Sequence, residues 1–266
     1  MHSVPLQNFL SRPLGSAGLD TCALGVAGGY GVPTKSLEEA FERGVNYFYH
    51  GSLRRQGMNQ AIKNICAKGK RDKLIIAAQD YMRMSKGLVR WSFDRFLAKT
   101  GLDYVDVLLL GWHNTDPDRA TLETALDLKT RGLIKHIAIS GHNRKAFPEF
   151  AKSGIYGVFH FRYNAVHNGA ETDIFPFLPS TGRPGTVVYT ATCWKKLLNA
   201  SHPANAERKV SASDCYRFVL SNPSVDMVIT GPKSAVEMIE ALRTLELGPM
   251  SSGELEWMRK VGSSIR

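Results

Sequence analysis

From Thr21 onward, short apolar runs alternate with helix-like stretches, and the alternation repeats eight times. The apolar runs are Cys22–Val26, Val45–Phe48, Lys73–Ala78, Tyr104–Leu110, Ile134–Ser140, Gly157–Phe161, Thr186–Thr190 and Val225–Ile229. They read as buried strands. Helices are expected at Asn59–Lys68, Lys86–Thr100, Ala120–Thr130, Lys145–Ser153, Ser213–Ser221, Ser234–Leu247 and Ser252–Val261, and a helix then a loop between Gly169 and Pro179. The helix after the first strand opens at Pro33-Thr-Lys-Ser, with Ser36 as its N-cap and Glu38 and Glu39 in its first turn, where carboxylates are favoured. Eight strand–helix units in 266 residues, with no composition break between halves, predict an α/β fold of one closed (β/α)8 TIM barrel spanning 1–266. A doubly wound sheet is the competitor, but no Gly-x-Gly-x-x-Gly turn follows the first strand.

Composition narrows the function classes. An apolar fraction of 43% supports a full core and argues against general disorder. No apolar run is long enough to span a membrane, and the first residues lack the basic-then-apolar pattern of a secretory signal. Cys22, Cys66, Cys193 and Cys215 show neither close pairing nor metal-ligand spacing, so four free thiols, no metal and a reducing cytoplasm are expected. The net charge of +10 favours anionic partners, from phosphorylated cofactors to nucleic acid. The basic residues are dispersed, and the densest run, Lys63 to Lys73, reads as a solvated helix end and not as a nucleic-acid surface.

The segment from Gly44 to Gly57 is the first candidate site. Val45, Tyr47 and Tyr49 alternate with Asn46, Phe48 and His50, and the turn that follows carries Arg54 and Arg55. Strand carboxyl ends share one mouth in a barrel, so Tyr49, His50, Arg54 and His113, just past the fourth strand, are the candidate catalytic groups. A histidine there serves as a base near neutral pH, Arg54 binds a carboxylate or phosphate, and Tyr49 or Tyr81 offers a proton. The plainer alternatives are that Tyr49 fills space and that Arg55 is a solvated loop residue.

Several segments resemble the aldo-keto reductase superfamily: Arg12-Pro-Leu-Gly-Ser-Ala-Gly-Leu-Asp-Thr-Cys-Ala-Leu-Gly at the opening hairpin and first strand, Gly44-Val-Asn-Tyr-Phe at the second, Leu102-Asp-Tyr-Val-Asp-Val-Leu-Leu-Leu-Gly-Trp-His at the fourth, Gly132-Leu-Ile-Lys-His-Ile-Ala-Ile-Ser at the fifth, Arg162-Tyr-Asn after the sixth and Ile229-Thr-Gly-Pro-Lys-Ser after the eighth. The resemblance implies carbonyl reduction with NADP(H), in which a tyrosine donates a proton while a lysine and an aspartate tune it and a histidine positions substrate. Carried over one by one, the aspartate falls on Tyr49, the tyrosine on Arg54, the lysine on Gln79 and the histidine on Gly111, so all four are changed. The cofactor positions fare better. The resemblance places Gly231, Lys233 and Ser234 at the adenosine phosphate, Ser140 at the carboxamide with Gly141 in place of an asparagine, Tyr189 against the nicotinamide, and His160 where a glutamine is usual.

Three readings follow. The first is an NADP(H)-dependent oxidoreductase acting on a small carbonyl compound through a non-standard proton-transfer set. The second is a non-redox lyase, isomerase or cyclase using the basic mouth. The third is an inactive protein that senses or binds nucleotide, with NADP(H) retained or lost. Their shared partner is a small molecule, with an anionic one favoured by charge.

Overall fold

A computed structural model describes residues 7–51, 56–80, 89–199 and 208–265. Eight parallel strands close into a barrel: β1 (Leu24–Ala27), β2 (Tyr47–His50), β3 (Ile75–Asp80), β4 (Val105–Leu110), β5 (Ile134–Ser140), β6 (Val158–Arg162), β7 (Gly185–Tyr189) and β8 (Met227–Thr230). Each strand pairs with its successor, and β8 returns to β1 through Val228 opposite Leu24 and Thr230 opposite Val26. The outer layer comprises α1 (Thr34–Glu42), α2 (Gln56–Ala67), α3 (Val89–Thr100), α4 (Arg119–Thr130), α5 (Phe147–Ser153), α6 (Ala170–Asp173), α7 (Ala212–Leu220), α8 (Ala235–Leu247) and α9 (Ser252–Ser263). No helix among the described residues is long and apolar enough to cross a membrane.

Alternation along the strands divides the core in two. Tyr47, Ile75, Ala77, Val107, Leu109, Ala138, Val158, Val187 and Met227 fill the barrel interior. Phe48, Ile76, Leu108, Ile137, Phe159, Phe161 and Val188 face the helices. Leu14, from the hairpin that pairs Arg12–Pro13 with Asp20–Thr21, plugs the amino-terminal end. That floor is tied electrostatically: the Asp106 carboxylate, 2% exposed, accepts from Ile76 N–H and pairs with Arg71 and Lys135 at 3.0 and 2.8 Å. A buried carboxylate with every lone pair engaged costs little; one left unpaired costs several kcal/mol, about 3–5. Asp106 thus ties neighbouring strands at the floor, opposite the carboxyl-terminal rim where barrel sites are built.

Two local expectations are corrected. The second strand begins at Tyr47, two residues later than its apolar pattern suggests, because Gly44 (φ 97) and Val45 close the end of α1, with Val45 N–H bonded to the Ala40 carbonyl. Ser36 is not an N-cap. Helix α1 starts at Thr34, where Pro33 (φ −62) presets the entry, and Ser36 lies buried inside the first turns. All four cysteines are free thiols.

Candidate active site at the barrel mouth

Inward-facing positions near the carboxyl ends of the strands build the site. On β2 the inward residues are Tyr47 and Tyr49, so His50, one position on, must face the other way. It is 2% exposed, with Nε2 2.5 Å from Asn59 Oδ1 on α2 and its ring edge-on to Phe96 of α3 at 4.8 Å. Burial holds its pKa below the usual histidine value. His50 belongs to the helix layer and does not reach the mouth. Arg54, Arg55 and Tyr81 lie outside the described residues.

Tyr49 does line the mouth. Its hydroxyl donates to Gln79 Oε1 of β3. The two residues standing where the family's aspartate and lysine are expected therefore form one neutral pair, with no charge to balance. Two glycines lie against this pair. A Cβ on Gly111 would come within 2.6 Å of Gln79 Nε2, and a Cβ on Gly51 within 2.6 Å of the Tyr49 ring. Ordinary contacts are about 3.5–4.0 Å. Gln79 thus occupies the space that a side chain at position 111 needs, and Tyr49 lies across Gly51.

Below this layer, His160 is 1% exposed and joined to the Tyr47 hydroxyl by a 3.0 Å hydrogen bond. Burial alone lowers its pKa to about 3, so the imidazole is neutral. His160 is a buried partner of Tyr47 and presents no surface to a nicotinamide. Ser140, at the end of β5, accepts from Trp112 N–H at 3.0 Å, while its carbonyl accepts from His113 N–H at 2.6 Å. These bonds bring the turn after β4 against β5: a Cβ on Gly141 would stand 2.0 Å from the His113 carbonyl oxygen. No asparagine fits there. His113 is half-buried at the rim beside Ser140.

Tyr189, inward on β7, is pushed up to about 12 by burial, with the nearby Arg162 acting in the opposite direction. Arg162 is a further functional candidate, one that the sequence carries only within the Arg162-Tyr-Asn motif. It follows Val158 and His160 at two-residue spacing on the inward face of β6, which is the signal that would have found it. The turn after β7 is strained: Thr190, Cys193, Trp194 and Lys195 have φ of 62, 49, 53 and 70. Non-glycine residues in that region cost about 1–3 kcal/mol each and are concentrated at functional sites.

Next to this turn, α8 begins. Ser234 caps it by accepting from Glu237 N–H at 3.2 Å, and Lys233 is exposed. The Tyr30 ring packs over Gly231. The helix start already carries an anion, because Glu237 accepts from Lys233 N–H at 2.8 Å and pairs with Lys195 at 2.9 Å. Both contacts hold its carboxyl below the usual range, the Lys195 bond foremost.

The structure therefore defines a β/α-barrel protein with a phenol, a serine, a guanidinium and a cation-bearing helix start around one mouth. A family model of the aldo/keto reductases matches residues 33–191, and the chain belongs to that family. It is 27% identical over 159 residues to the uncharacterized oxidoreductase YqkF of Bacillus subtilis, covering 53% of this chain and 52% of that protein. The match thus spans about half the length of the relative. In fold it is similar to aldo-keto reductase AKR11C1 of Bacillus halodurans, at a TM-score of 0.77 in the apo form and 0.76 in the holo form, with 20% identity over 94% of this chain and 95% of each. A Klebsiella pneumoniae aldo/keto reductase in complex with NADP and acetate aligns at a TM-score of 0.75, with 18% identity over 93% of both chains.

Proposed function

We propose that the chain is an NADP(H)-binding oxidoreductase acting on a small carbonyl compound, with Tyr49 as the proton donor. The residues present fit the cofactor unequally. At the phosphate end, Lys233 and Ser234 sit at a helix start whose dipole favours an anion, although Glu237 must give up the Lys233 amide. At the nicotinamide end, Ser140 keeps a hydroxyl hydrogen to donate and Tyr189 offers a ring face. When bound, NADPH supplies hydride.

The observation that carries this reading is the phenol of Tyr49, half-buried in the mouth wall and aimed by Gln79. A phenol holds its proton at neutral pH, and Gln79 fixes where the hydroxyl lies; the single O–H hydrogen has to leave Gln79 Oε1 to reach a carbonyl oxygen. Loss of that proton leaves a phenolate beside an uncharged amide, where a lysine would stabilise it better. Turnover is therefore slow compared with a site that pairs phenol and ammonium. The same neutral pair also favours a second reading, a nucleotide-sensing protein that binds NADP(H) without reducing a carbonyl.

Titration with NADPH and NADH, followed by carbonyl-dependent NADPH oxidation, tests the proposal. NADPH binding that Lys233→Glu weakens, with oxidation that Tyr49→Phe abolishes, supports it. Binding of neither nucleotide refutes it. Binding with no carbonyl reduced leaves the sensing role.

A further inference from the structure

Arg162 and the Tyr189 hydroxyl form a polar pair at the mouth that takes no part in the proton transfer. They are direct partners in the β6–β7 ladder. Both face inward, so their side chains border one spot, since paired strands run about 4.8 Å apart. The guanidinium lies over the Trp194 ring at 4.7 Å, and Nη2 is 3.2 Å from His142 Nδ1. Arg162 Nε and the Tyr189 hydroxyl are both buried and have no hydrogen-bond partner among the described residues. Buried polar atoms without partners are uncommon, and each calls for a cause.

Charge points the same way. Nearby Arg144 is paired with Asp173, and Lys195 with Glu237, whereas no carboxylate among the described residues pairs with Arg162. Arg162, Lys196 and Arg144 together depress the pKa of His167, adding to the larger effect of burial, so the positive potential is felt locally. The seat under the guanidinium is Trp194, the middle of three consecutive left-handed residues. A planar, always-charged fork held on an aromatic ring, with a phenol beside it, matches a carboxylate.

We infer that Arg162 and the Tyr189 hydroxyl bind a carboxylate of the substrate, which makes the substrate an oxo-acid and not a neutral carbonyl compound. This rests on the oxidoreductase reading for the word substrate, though the anion site stands on its own geometry. The ring face of Tyr189 and its hydroxyl are separate surfaces, so the site does not compete with a nicotinamide on the face.

The test is calorimetric titration with glyoxylate, pyruvate and longer ω-oxo acids, each beside its methyl ester, with and without NADPH, and in parallel with NADPH-oxidation assays. At least one acid should bind about tenfold or more tightly than its ester, the scale of a hydrogen bond to a charged group. Arg162→Gln should erase that preference, Arg162→Lys should keep part of it, and Tyr189→Phe should weaken acid binding severalfold, with thermal melting checking that each variant folds. Equal binding of every acid and its ester, or an undiminished preference in Arg162→Gln, overturns the inference. So does an Arg162→Gln variant that loses only NADPH affinity, because the anion would then be a cofactor phosphate. Acid binding without NADPH oxidation keeps the anion site and removes the reductase reading. Oxidation that is indifferent to acid or ester does the reverse.

Discussion

Replacing Gly111 by alanine tests whether position 111, Gln79 and Tyr49 form one packed unit. The new Cβ would lie 2.6 Å from Gln79 Nε2, 3.1 Å from Cδ and 3.3 Å from Cγ. Gln79 has to swing away, and the hydrogen bond it accepts from Tyr49 goes with it. Overpacking a filled site costs about 1–3 kcal/mol. The lost hydrogen bond adds about 1 kcal/mol. The single variant should therefore lose about 2–4 kcal/mol, read as a lower urea midpoint at unchanged slope. Gln79→Ala loses the same hydrogen bond but creates no clash. In the double variant the clash disappears and the shared hydrogen bond is lost once instead of twice, so its loss should fall short of the sum of the singles by about 2–4 kcal/mol, at the upper end of couplings between residues in contact. Additivity to within about 0.5 kcal/mol would refute the reasoning, since it would mean that Gln79 and position 111 do not share one space.

Two further outcomes follow from the site's electrostatics. His160 is held near a pKa of about 3 in the folded chain, against about 6.5 when unfolded. Its contribution is fully present above pH 6.5 and is lost as the pH falls toward 3, because the unfolded chain takes up the proton first. The stability slope from this group should approach about 1.4 kcal/mol per pH unit in that window, and His160→Gln should flatten it in urea titrations run from pH 7 to pH 4. Glu237→Gln removes the carboxylate that Lys195 and the Lys233 amide now serve. It should tighten NADPH several-fold, on the scale of about 1 kcal/mol for a charge at a helix start, and NADH much less. Equal effects on the two nucleotides would show that Glu237 does not contest the phosphate.

Which parts of the chain make the fold was legible because a strand–helix alternation is a local property. Each apolar run must be covered, and eight such runs in order leave a closed barrel as the solution. The site was legible only in part. Tyr49 could be placed because alternation fixes which face a residue takes, and that same rule sends His50 into the helix layer against Asn59 and Phe96. Arg162 carries the same two-residue signal, yet nothing local marks it as a partner of Tyr189, which lies 27 positions further along.

What the sequence determined by itself was the barrel and the inward and outward faces of its strands, and the resemblance set Tyr49, Arg54, Gln79 and Gly111 where the family's aspartate, tyrosine, lysine and histidine are expected. The tertiary structure decided how the mouth is packed. Tyr49 and Gln79 join as a neutral pair, Gly51 and Gly111 leave the room that pair needs, His160 sinks under Tyr47, and Arg162 meets Tyr189 on the seat made by Trp194. The division has a physical cause. Backbone periodicity is set by neighbours along the chain, whereas hydrogen-bond partners and steric exclusion are set by whichever side chains the closed barrel brings within a few ångströms.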